Sequence, residues 1–90
     1  MKYLITEQQN NRIIDMIKDF ANTYEDERVV RTDVEVEYDP KLKLYLIYPV
    51  FYVKNKEKFP THLYKHILAQ KIEDYLGVPT HSAAARVKRI

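Results

Sequence analysis

From Leu42 to Val53 the chain carries one charge, Lys43, and is otherwise apolar or aromatic at odd and even positions alike. Successive side chains of a strand point to opposite faces. A strand here therefore presents one row of Leu42, Leu44, Leu46, Tyr48, Val50 and Tyr52 and an opposite row of Tyr45, Ile47, Pro49, Phe51 and Val53. Apolar character on both faces is the pattern of a strand covered on both sides. Whatever fold forms must shelter this strand twice, or leave one row for a partner.

The flanking segments supply limited cover. Ile13, Ile17, Phe20 and Tyr24, with Ile14 and Ala21, recur at helical spacing, and Thr6 with Gln9 reads as a capping box, so a helix is predicted over Glu7 to Tyr24. From Val30 the period becomes two: Val30, Thr32, Val34, Val36 and Tyr38 share one face, and Arg31, Asp33, Glu35 and Glu37 the other. Asp39-Pro40-Lys41 is turn chemistry. A hairpin follows, and pairing Asp39 with Lys43 leaves Pro40 where a type I turn favours it. Tyr64, Ile67, Leu68, Ile72, Tyr75 and Leu76 predict a second helix opening at Pro60-Thr61 and stopped by Gly77 and Pro79.

The expected fold class is α+β, in the order α-β-β-α, with both helices on the even-numbered face of an antiparallel hairpin. Residues 1–79 form the domain and residues 80–90 a basic tail, open between a short helix, a third strand and a mobile arm. On this reading Tyr45, Ile47, Phe51 and Val53 face away from the helices. Met1–Ile5, Arg86–Ile90 or another chain would have to cover them, and Pro49 is a place where a bulge would swap the faces beyond it.

Ninety residues without a cysteine fit one domain in a reducing compartment, with no disulfide, thiolate metal site or Cys nucleophile. No apolar run approaches the ~20 residues of a membrane span, and the opening turns acidic too soon for a signal peptide. A cytoplasmic setting is expected. With one glycine, Gly77, the chain has no phosphate-cradling loop. The net charge of +2 hides a division: residues 1–40 hold 5 Lys/Arg against 10 Asp/Glu, and residues 41–90 hold 10 against 3. Acidic and basic faces are expected.

No constellation reads as catalytic, and no cofactor, metal or small-molecule substrate is expected. Asp33, Glu35 and Glu37 line one strand face, but the neighbouring strand offers Tyr45 and Ile47 where a metal-dependent nuclease needs acids. His62 and His66 stand one helical turn apart, with only His81 as a third candidate ligand, and read as an exposed pair near helix-flanking lysines rather than a zinc site, with mild pH sensing the one role such a pair could add. Ser82, the one serine, has no evident His–acid partners.

Two roles remain. The first is protein–protein interaction or self-assembly through Tyr45, Ile47, Phe51 and Val53. The alternative is single-stranded nucleic-acid binding through Lys54, Lys56, Lys58, Lys65, Arg86, Lys88 and Arg89, with aromatic rings for stacking. The opening Lys2-Tyr3-Leu4-Ile5-Thr6-Glu7-Gln8-Gln9 resembles the starts of small proteins from tailed phages. That resemblance implies a viral accessory or virion structural protein and carries no functional residues with it.

Overall fold

The computed structural model describes residues 7–24 and 26–90. The class is α+β: helix α1 (Glu7–Thr23), strands β1 (Arg31–Asp39) and β2 (Leu44–Val53), helix α2 (Thr61–Leu76), then short strands β3 (Thr80–Ser82) and β4 (Arg86–Arg89). The Thr6 cap lies outside the described residues. Gly77 closes α2 in the left-handed region at φ 71°, its N–H donating to Glu73 O at 2.9 Å. This is the stop that Gly77 and Pro79 predict.

β2 is the centre of the sheet. β1 runs antiparallel along one side of it. β3 and β4 run parallel along the other, β3 beside Tyr45–Ile47 and β4 beside Val50–Val53. Residues 80–90, expected as a tail beyond a domain ending at 79, are thus the third strand of the sheet.

The third strand is broken for a reason in β2. Ile47 pairs with Ser82 and Val50 with Arg86, so two residues of β2 oppose three on the partner. Odd-numbered residues of β2 turn their backbone groups toward this side: Tyr45 N–H donates to Pro79 O, and Ile47 O and Val53 O accept from Ala83 and Ile90. Pro49 falls in that series and has no N–H to give. The ladder bulges there, where proline is tolerated. The bulge sits in the partner strand, and β2 keeps its faces throughout.

The register of the hairpin differs from expectation. Asp39 pairs with Leu44, and down the ladder Tyr38 meets Tyr45, Val36 meets Ile47, Val34 meets Pro49 and Thr32 meets Phe51. The cause is the turn. Asp39 Oδ1 accepts from the N–H groups of Lys41 (2.9 Å) and Leu42 (3.1 Å), and Lys43 takes a left-handed φ of 55°. The loop uses one residue more than a turn pairing Asp39 with Lys43. A slip of one residue exchanges the faces of a strand.

The core therefore holds the row expected outside. Tyr45 is 2% exposed, and Ile47, Phe51 and Val53 are each 0%. They pack with Val34 of β1, Ile17 and Ala21 of α1, and Tyr64, Leu68 and Ile72 of α2. Phe51, Phe59 and Tyr64 form an aromatic cluster, with Phe59 and Tyr64 centroids 4.5 Å apart. Both helices lie on this one face. Tyr75, expected in the apolar stripe of α2, is exposed, its ring 5.0 Å from that of Phe20.

Candidate interaction face

Tyr45, Ile47, Phe51 and Val53 are not available to a partner. They are the interior, because the four-residue loop turned the odd-numbered row inward. The accessible row is Leu44, Leu46, Tyr48, Val50 and Tyr52, each half-buried between flanking strands, with no helix of the described residues over it; Met1–Ile5, one of the segments considered as cover, lies outside the described residues. The sequence reading missed these five as surface residues. The one local signal was Asp39, whose side chain can close an Asx turn; Lys43, which takes the left-handed φ of 55°, is not a residue type that announces that conformation.

The flanks of this open face are charged, and the ladder fixes their order. Across one row Glu37, Leu46 and His81 stand side by side. Across another stand Asp33, Val50 and Arg86, and across a third Arg31, Tyr52 and Lys88. Between them Glu35 neighbours Tyr48, opposite the bulge. The face thus has three columns: on β1 the carboxylates Asp33, Glu35 and Glu37 with Arg31 at one end, apolar and aromatic groups on β2, and on the far side His81 of β3 with Arg86 and Lys88 of β4. Glu35, Tyr48, Val50, Ala84 and Arg86 edge a groove of ≈330 Å³ that the bulge opens.

Several side chains are held in place. The Tyr48 hydroxyl donates to Glu37 Oε1, and that bond raises the phenol's pKa. Arg31 pairs with Asp33 at 3.4 Å, and its guanidinium lies 4.0 Å from the centroid of the Tyr52 ring.

The basic residues divide. Arg86 and Lys88 belong to the open face, while Arg89 pairs with the inward-facing Val53. Lys54, Lys56 and Lys58 are exposed in the loop after β2. Because β4 runs parallel to β2, that loop lies at the end where Lys88 and Arg89 finish, tied by the Ile90 N–H to Val53 O bond at 3.0 Å. A cleft of ≈430 Å³ at this end is lined by Glu27, Arg28, Val30, Lys54, Asn55, Lys58 and Phe59. Lys65 is elsewhere: its Nζ donates to Ala83 O at 3.2 Å, on the bulge.

The remaining polar constellations are quickly placed. The His62 and His66 rings are 4.6 Å apart on exposed helix surface. Desolvation, and then the charges of His62, Lys65 and His81, lower the pKa of His66. Among the described residues no group of three or more His, Asp or Glu is arranged to hold a metal ion. Ser82 is buried at 1% on the inner face. No helix among the described residues is long and apolar enough to cross a membrane.

Comparison with family models, with curated proteins and with solved structures gives no match.

Proposed function

We propose that this chain is a non-catalytic protein-interaction module that works through the open face of its sheet. One observation carries the reading: the Leu44, Leu46, Tyr48, Val50, Tyr52 column lies on the side of the central strand opposite both helices. An apolar stripe rimmed by charge is the anatomy of an interface core with its polar rim. The surrounding carboxylates and cations give register and orientation to whatever binds. A cytoplasmic or virion setting, of the kind suggested by the opening's likeness to phage proteins, belongs to the same proposal.

The test is site-specific photo-cross-linking. Benzoylphenylalanine placed at Tyr48 should give protein adducts in concentrated extract, and the same group at Tyr75, exposed on α2, should not. Equal yields at both sites, or none at either, would sink the reading.

The basic end supports a second reading, nucleic-acid binding. Lys54, Lys56, Lys58, Lys88 and Arg89 gather there beside Phe59 and the Arg28 cleft. This keeps cations near an aromatic ring at the end of the sheet where the open face ends in Arg31 and Lys88. Titration with single-stranded RNA decides it. Each phosphate contact steepens the fall of affinity with salt, so binding that ignores salt, or no binding, removes the reading.

A further inference from the structure

We propose that the occupant of the open face is a second copy of this chain, packed sheet on sheet about a twofold axis parallel to β2. The inference rests on the reading of that face as a protein-binding surface, and adds who binds and how.

Symmetry and the order of the columns select this arrangement. Two copies meeting face to face are related by a twofold axis lying in the plane between them. If the axis runs across the strands, each carboxylate column meets its own image, and so does each cation column. If it runs along β2, left and right exchange, and the β1 column of one copy faces the β3/β4 column of the other at the same height. Asp33 of one copy then stands over Arg86 of the other, and Glu37 over His81, each pair made twice. The apolar column of β2 meets itself along the axis. Aligned sheets cross at about 30°, which this axis permits.

The open face is thus self-complementary in charge as well as in polarity. Its acidic side comes from the first half of the chain and its basic side from the second. The ≈330 Å³ groove beside Tyr48 has Glu35 on one bank and Arg86 on the other, so a knob entering it passes between opposite charges. The one row of like charge is Arg31 facing Lys88. Arg31 is already bound to Asp33 and stacked on the Tyr52 ring, which draws it aside. The contact therefore centres on Leu46, Tyr48 and Val50 and opens toward the Tyr52 end.

Size sets the strength. A face ten residues long and three strands wide covers roughly 450 Å² per copy. Roughly 900 Å² in total puts this dimer at the small end for specific association, the size class of weak, exchanging contacts. Its charged rows are near the rim, so added salt weakens it.

Charge reversal with complementation tests the geometry. Sedimentation equilibrium of the full chain from micromolar to millimolar should show a monomer–dimer equilibrium. Asp33→Lys alone and Arg86→Glu alone should each weaken it by about tenfold or more, because each reversal creates a like-charge contact twice. An equimolar mixture of the two variants should dimerise about as well as wild type, as should the double variant with itself. A wild type that stays monomeric overturns the inference, as do single reversals without effect or a mixture that fails to pair. If the wild type is monomeric, adducts from position 48 to other proteins leave the interaction reading standing without the second copy. No adducts at all remove both. The Asp33 side chain is 48% exposed and Arg86 is exposed, and matching circular dichroism melts confirm that folding is unchanged.

Discussion

Single residues act at the seams of this fold. The Tyr64 hydroxyl donates to Asp26 Oδ1 at 2.7 Å, tying α2 to the segment between α1 and β1. That bond, followed by one from the Arg28 N–H, holds the Asp26 carboxyl below its usual range. The same bond, with desolvation, pushes the Tyr64 phenol from 10.0 up to about 12. The Asp26 contribution to stability is therefore complete above the ordinary carboxylate range and is lost as pH falls through its lowered value. The Tyr64 contribution is complete below 10.0 and is lost as pH rises toward about 12. Tyr64→Phe is expected to cost about 1 kcal/mol near neutral pH. Urea unfolding across a pH series should show the gap from wild type closing as Asp26 protonates. A gap that is constant down to strong acid would mean that the bond contributes nothing. Lys43 and Pro49 act through the backbone instead. One lengthens the hairpin loop, and the other breaks the third strand.

At the scale of elements, β2 decides the molecule, and its parity is open to direct measurement. Ile47 is fully buried, so Ile47→Ala should cost about 2–5 kcal/mol. Leu46 lies on the open face, so Leu46→Ala should cost about 1 kcal/mol or less in the monomer. Chemical denaturation ranks the two, and the opposite ranking would indicate the other register. Both helices, both long strands and the turn between them were legible in the sequence, because their periods of 3.6 and two are sustained over many residues. The identity of the inward row was not. Leu44, Leu46, Tyr48, Val50 and Tyr52 are about as apolar as Tyr45, Ile47, Pro49, Phe51 and Val53, so composition does not choose between them. The row expected outside and the row found outside are the two sides of one strand, exchanged by a single loop residue.

Across the whole molecule, the division of charge along the chain becomes a division across the sheet. β1 and β3/β4 come from opposite halves of the sequence and flank β2 on opposite sides. The carboxylates of β1 also protect an exposed edge, since two such edges pairing in antiparallel fashion would bring acid against acid. The third strand is integral to the fold. A chain stopped after Pro79 loses β3, β4 and the packing of Val87 on the core. It leaves β1 and β2 as a two-stranded ribbon held only by the helices on one face, with the second edge of β2 unpaired. That truncation is expected to abolish the cooperative thermal transition followed by circular dichroism. A sharp melt for residues 1–79 would show the tail to be an accessory.

The sequence alone determined the kind of each long element, the α+β class and the presence of more apolar strand surface than two helices cover. All of these follow from local periodicity, which a neighbour cannot change. Tertiary structure decided which row of β2 went inside and what residues 80–90 became. The first turned on a loop whose two candidate lengths differ by one residue, and the second on strands of three and four residues, too short to display a period. The site followed those two choices, since a surface is what remains after the core has selected its side.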